Sequence, residues 1–186
     1  MRFFSQIAAF GVAAATLAHA NSITFINQDD TTRKVVFTPS IGHEQIDSFD
    51  IKGNDEVKID IPTSWIGNAY SVSEGAQDTP GMLAEVTFQG WNDLTYFDVS
   101  AIVNAADHDG VKEMFPLKDL EGDSKSAISG CAVFPCAKAY YHPDDIQTVS
   151  TPETDLVCTL GTASDLSTRQ DVEPKMFPRN YVLGKL

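Results

Sequence analysis

The chain has 186 residues, 26 of them acidic and 13 basic, for a formal charge of −13. That balance argues against DNA, RNA and anionic membrane surfaces as partners, because each is bound through clustered Lys and Arg. It suits an acidic extracellular protein that meets neutral or cationic ligands.

At the start, Arg2 precedes an apolar, Ala-rich run over residues 7–17 and the small-x-small triplet Ala18-His19-Ala20. This pattern predicts a secretory signal peptide, residues 1–20, cut after Ala20. The apolar run is shorter than the ~20 residues a membrane span needs. Short β-rich runs then recur between clusters of Gly, Asn, Asp and Pro, predicting strands over 22–27, 34–39, 56–61, 68–73, 82–89 and 94–103. No long helical period occurs and no repeat is present. The reading is an all-β sandwich, one core domain over residues 21–161 with antiparallel sheets and long loops. Residues 105–130 read as loop with a short turn of helix. Residues 162–186, rich in Ser, Thr, Asp and Pro, read as a loosely packed or mobile tail.

Two of these runs carry candidate chemistry. In LAEVTF, Ala84, Val86 and Phe88 form an apolar face and Glu85 lies on the other. In TYFDVSAIV, Phe97, Val99, Ala101 and Val103 form the apolar face, and Tyr96, Asp98 and Ser100 oppose it. With Gly90-Trp91-Asn92-Asp93 as the turn, counting inwards sets Glu85 opposite Asp98 on a solvent-side face. Like charges facing each other across a ladder are destabilising by roughly 0.2–1 kcal/mol, so the pair calls for a compensating cation, cleft or ligand. Two carboxylates at this spacing are also what a glycosidase uses as acid and nucleophile or base. Crowding raises the pKa of one of the two and splits those roles.

Other residue types are less specific. Trp65 and Trp91 sit in turn-like contexts and offer apolar faces for sugar stacking or for capping the core. His108 and His142 lie in acidic loops without paired metal-ligand spacing, so neither metal nor cofactor is expected. No G-x-S-x-G nucleophile motif occurs. The three cysteines, Cys131, Cys136 and Cys158, imply one disulfide and one thiol in a secreted chain, with three possible pairings.

At LAEVTF, TYFDVSAIV and CAKAYYHPDD the chain resembles the thaumatin-like protein superfamily. Glu85 and Asp98 stand at that family's thirteen-residue spacing, and ITFINQ resembles its first strand. The resemblance is nearest to small secreted fungal-type members that lack the disulfide-rich second domain. It implies a thaumatin-like β-sandwich, a Cys131–Cys136 disulfide with Cys158 unpaired, and an acidic cleft floored by Glu85 and Asp98 with Asp144 or Asp145 beside them. The cleft arginine expected near residues 48–51 is missing, and a further acidic position is Val103. The expected function is a secreted, monomeric binder of cell-wall β-glucan or of a host extracellular protein, through Asp144, Asp145, Tyr96, Trp65 and Trp91. The alternatives are a weak endo-β-1,3-glucanase using Glu85 and Asp98 as catalytic residues, and a secreted effector acting on host defence.

Overall fold

The computed structural model describes residues 21–122, 125–163 and 175–185, so the predicted signal peptide lies outside the described residues. Within them the chain forms twelve strands: β1 (Asn21–Asn27), β2 (Arg33–Pro39), β3 (Phe49–Ile51), β4 (Glu56–Ile61), β5 (Ile66–Ser73), β6 (Leu83–Thr87), β7 (Thr95–Ser100), β8 (Val111–Pro116), β9 (Ser129–Gly130), β10 (Thr148–Thr151), β11 (Asp155–Leu160) and β12 (Met176–Phe177). One sheet has the order β4-β1-β11-β8-β9, and the other β12-β10-β7-β6-β5-β2-β3. The described residues are thus all-β, with two sheets and, among those residues, only short 3-10 turns besides.

Period-two alternation sends Ile23 and Phe25 of β1, Val35 and Phe37 of β2, Ala84 and Val86 of β6 and Phe97 and Val99 of β7 into one intersheet core. Leu156, Cys158 and Leu160 of β11 enter the same core, while Val157 turns to a second cluster with Phe115 and Ile128 on the outer face of the smaller sheet. Two features correct the sequence reading. The sheets are not wholly antiparallel, because β1 pairs in parallel with β11, from Ser22↔Asp155 to Asn27↔Leu160. The segment read as loop and helical turn contains β8, an interior strand between β11 and β9.

β6 and β7 were expected to be half-buried, yet every residue in both is buried. The cover comes from the end of the chain. β12 pairs with the edge of β10, matching Thr148 with Phe177 and Val149 with Met176. Residues 178–185 then fold in successive turns, with Tyr181 N–H donating to the Pro178 carbonyl and Leu183 N–H to that of Arg179. Thr87 Oγ1 ties this segment down by donating to the Val182 carbonyl at 2.5 Å. The first part of the segment read as a loose tail, residues 164–174, lies outside the described residues. Its later part places Phe177 and Val182 in a buried cluster with Tyr96.

Candidate functional site

The β6–β7 hairpin holds the carboxylate pair. Its turn closes with Gly90 N–H donating to the Leu94 carbonyl, across a 3-10 turn at Trp91–Asp93. The ladder sets Glu85 opposite Asp98, with Leu83↔Ser100 and Thr87↔Tyr96 on either side. The solvent-side placement is corrected: Glu85 is 4% exposed and Asp98 fully buried. The physical reason is the apolar side chains of the C-terminal segment. Phe177 and Tyr181 lie 5.3 and 5.1 Å from the Tyr96 ring, centroid to centroid, and seal this face of the hairpin.

Arg179 is carried by that same segment. Its guanidinium forks onto Glu85, with Nε donating to Oε2 at 2.9 Å and Nη2 to Oε1 at 2.6 Å. Two charge-assisted bonds in this geometry fix both charge and orientation. The cation required by the facing carboxylates is therefore supplied by the chain itself. It comes from residue 179, not from the region near residues 48–51.

Asp98 has a different surrounding. Its Oδ2 accepts a hydrogen bond from Thr148 Oγ1 at 2.8 Å, while Oδ1 has no donor among the described residues. The Tyr140 hydroxyl extends the network, 2.9 Å from Thr148 Oγ1 and 3.1 Å from the Phe177 carbonyl oxygen. Burial, reinforced by the charge of Glu85, pushes the Asp98 carboxyl well above the usual carboxylate range. The arrangement sets a carboxyl that resists ionisation beside a guanidinium–carboxylate pair, and the arginine offsets the repulsion of the two facing acids.

The other predicted site residues do not converge on this pair. Asp144 is exposed. Asp145 Oδ2 accepts the backbone N–H groups of Tyr141 and His142, both at 2.9 Å, and these bonds hold its carboxyl below the usual range. Asp145 shapes the loop that follows Tyr140. Tyr96 is buried, its hydroxyl donating to the Trp91 carbonyl at 3.2 Å. Trp65 is 1% exposed and donates through Nε1 to the Glu44 carbonyl, which makes it a core residue and not a stacking surface. Trp91 is 51% exposed at the hairpin turn. Cys131 and Cys136 are bonded to each other, and Cys158 is a buried thiol. Among the described residues no cluster of three or more His, Cys, Asp and Glu is placed to hold a metal.

Arg179, Thr148 and Tyr140 were not singled out from the sequence. The one available signal was the pair of apolar groups Met176-Phe177 and Tyr181-Val182-Leu183 flanking Arg179 in an otherwise polar tail.

Comparison with known proteins changes the kinship inferred from the motifs. No family model matches the chain. The crystal structure of the protein elicitor MoHrip2 from Magnaporthe oryzae shares the fold, with a TM-score of 0.59 over 77% of this chain and 100% of that one, at 17% identity. The antigenic protein SchS21 of Stachybotrys chartarum is 49% identical over 143 residues, which span 77% of this chain and 96% of that protein. These findings overturn the thaumatin-like assignment. The chain belongs to the family of the antigenic protein SchS21.

Proposed function

We propose that the protein is a secreted effector-type protein recognised by host defence, and that its acidic pair is a structural element. The 49% identity to an antigenic protein carries this reading. The leader-like residues 1–20 support an extracellular location. The geometry of the pair argues against the glucan-binding and glucanase readings. A polysaccharide would have to displace Arg179 and the aromatic cover before touching Glu85, and Asp98 lies deeper still.

The test applies purified protein to leaf tissue and measures the oxidative burst, with reducing-end release from laminarin assayed in parallel. The expected result is a dose-dependent burst, absent for heat-unfolded protein, and no laminarin hydrolysis. Absence of a burst together with hydrolysis abolished by Glu85→Gln would establish the glucanase instead.

A further inference from the structure

A second feature lies at the hairpin end of the larger sheet, outside the acidic pair. A cleft of about 450 Å³ opens between the β6–β7 turn, the loop before β5 and the C-terminal segment. His43, Ser64, Ile66, Trp91 and Tyr181 are its main walls. The volume falls within the roughly 300–1,000 Å³ range of small-molecule sites.

Backbone strain concentrates here. Five non-glycine residues among those described have positive φ; Ser64 (58°) and Gln89 (46°) line this cleft, and Asn92 (56°) and Asp93 (57°) follow its wall residue Trp91 in the hairpin turn. Ser and Gln rarely adopt this conformation, and such strain persists only where the surroundings enforce it. A clamp behind the cleft does so. Gln89 Oε1 accepts from Ser64 N–H at 2.8 Å and from Asn21 Nδ2 at 3.1 Å, and Gln89 Nε2 donates to Asn21 Oδ1 at 2.6 Å. The loop carrying His43 is pinned as well, through Ser40 N–H to the Ile66 carbonyl and Trp65 Nε1 to the Glu44 carbonyl. The cleft is therefore a preorganised shape.

Its chemistry narrows the occupant. No charged side chain lines it, although the protein carries a net charge of −13. The polar wall groups are mostly engaged, Gln89 in the clamp and Thr87 on the Val182 carbonyl. That leaves the Ser64 and Tyr181 hydroxyls and the His43 imidazole, three groups spread around the walls, without side-chain hydrogen bonds among the described residues. The apolar faces are Ile66 and the indole of Trp91, braced edge-on by Tyr181 at 6.0 Å. A pyranose, with a hydroxyl on nearly every carbon, would leave most of its hydrogen bonds unmade here. We propose that this cleft binds a small neutral ring compound bearing a single hydroxyl, stacked on Trp91 with its polar end at Ser64 and His43. The site is independent of recognition by a host and stands or falls separately from it.

The experiment titrates the full chain with 2-naphthol, a neutral two-ring phenol, and with laminaripentaose, using calorimetry and the emission of Trp91. The expected result is saturable one-to-one binding of 2-naphthol that alters Trp91 emission. Trp91→Ala should weaken it about tenfold, and His43→Ala should weaken it to a smaller extent. Because Trp91 is half exposed, its variant should retain the wild-type circular dichroism, which is checked alongside. Absence of saturable 2-naphthol binding overturns the proposal. So does unchanged affinity in folded Trp91→Ala, or preferential binding of laminaripentaose.

Discussion

Replacing Arg179 by alanine tests whether the acidic pair is held by the chain's own cation. The Glu85 side chain is 5% exposed and takes both of its strong hydrogen bonds from Arg179, at 2.6 and 2.9 Å. Removing one partner of a buried pair leaves an uncompensated charge and costs about 3–5 kcal/mol. Arg179 is itself 20% exposed, so water can enter the vacated space and the loss should lie near 3 kcal/mol, the lower end of that range. With a urea m-value of about 1–3 kcal/mol/M, the midpoint should fall by about 1–3 M. One further measurement identifies the cause. Adding Glu85→Gln to Arg179→Ala should recover more than half of the loss, because a neutral amide replaces the stranded carboxylate. A loss below about 1 kcal/mol, the size of an exposed ion pair, would refute the reasoning, as would a double variant no more stable than the single one.

Asp98→Asn keeps the hydrogen-bonding shape without an ionisable group. The folded pKa of Asp98 is raised, so its contribution is fully present below the unfolded value of about 3.9 and is lost as pH rises through the folded value. The stability of the variant relative to wild type should therefore increase from pH 4 to pH 7 in urea titrations, and a constant difference would refute the upward shift of Asp98. Asp29 has the opposite sign: the Arg33 guanidinium, 2.6 Å away, holds its carboxyl well below the usual range. Asp29→Asn should cost about 1–2 kcal/mol at pH 7, discounted for partial exposure, and the deficit should shrink as pH falls below about 4. Cys158 is fully buried and burial pushes its thiol up. Iodoacetamide should leave it unmodified in native protein and alkylate it in urea, as read by mass spectrometry.

What the sequence made legible was what local period encodes. The alternation in β1, β2, β4 and β5 was readable, and so was the Glu85–Asp98 register, which needs only a period of two and a turn of known length. β11 was hidden because DLVCTL is covered on both faces: Leu156, Cys158 and Leu160 enter the main core while Val157 fills the second cluster. Such a strand shows no alternation. β8 was masked by Lys112, a buried lysine that bonds to the His108 carbonyl and lies over the Phe134 ring. The cover on the acidic pair was out of reach for another reason. Arg179 stands 94 residues from Glu85, and a contact that distant leaves no trace in local pattern.

The parallel pairing of β1 with β11 has a consequence for how the molecule persists. Ser22 and Asp155, 133 residues apart, share a hydrogen bond at one end of that ladder, so the smaller sheet cannot close until segments far apart in sequence have met. Sheets dominated by such pairings fold in milliseconds to seconds rather than microseconds. If the β1–β11 ladder forms late, interactions on it act chiefly on the rate of opening, which sets how long a fold survives heat or protease. Such a ladder favours slow opening over fast assembly.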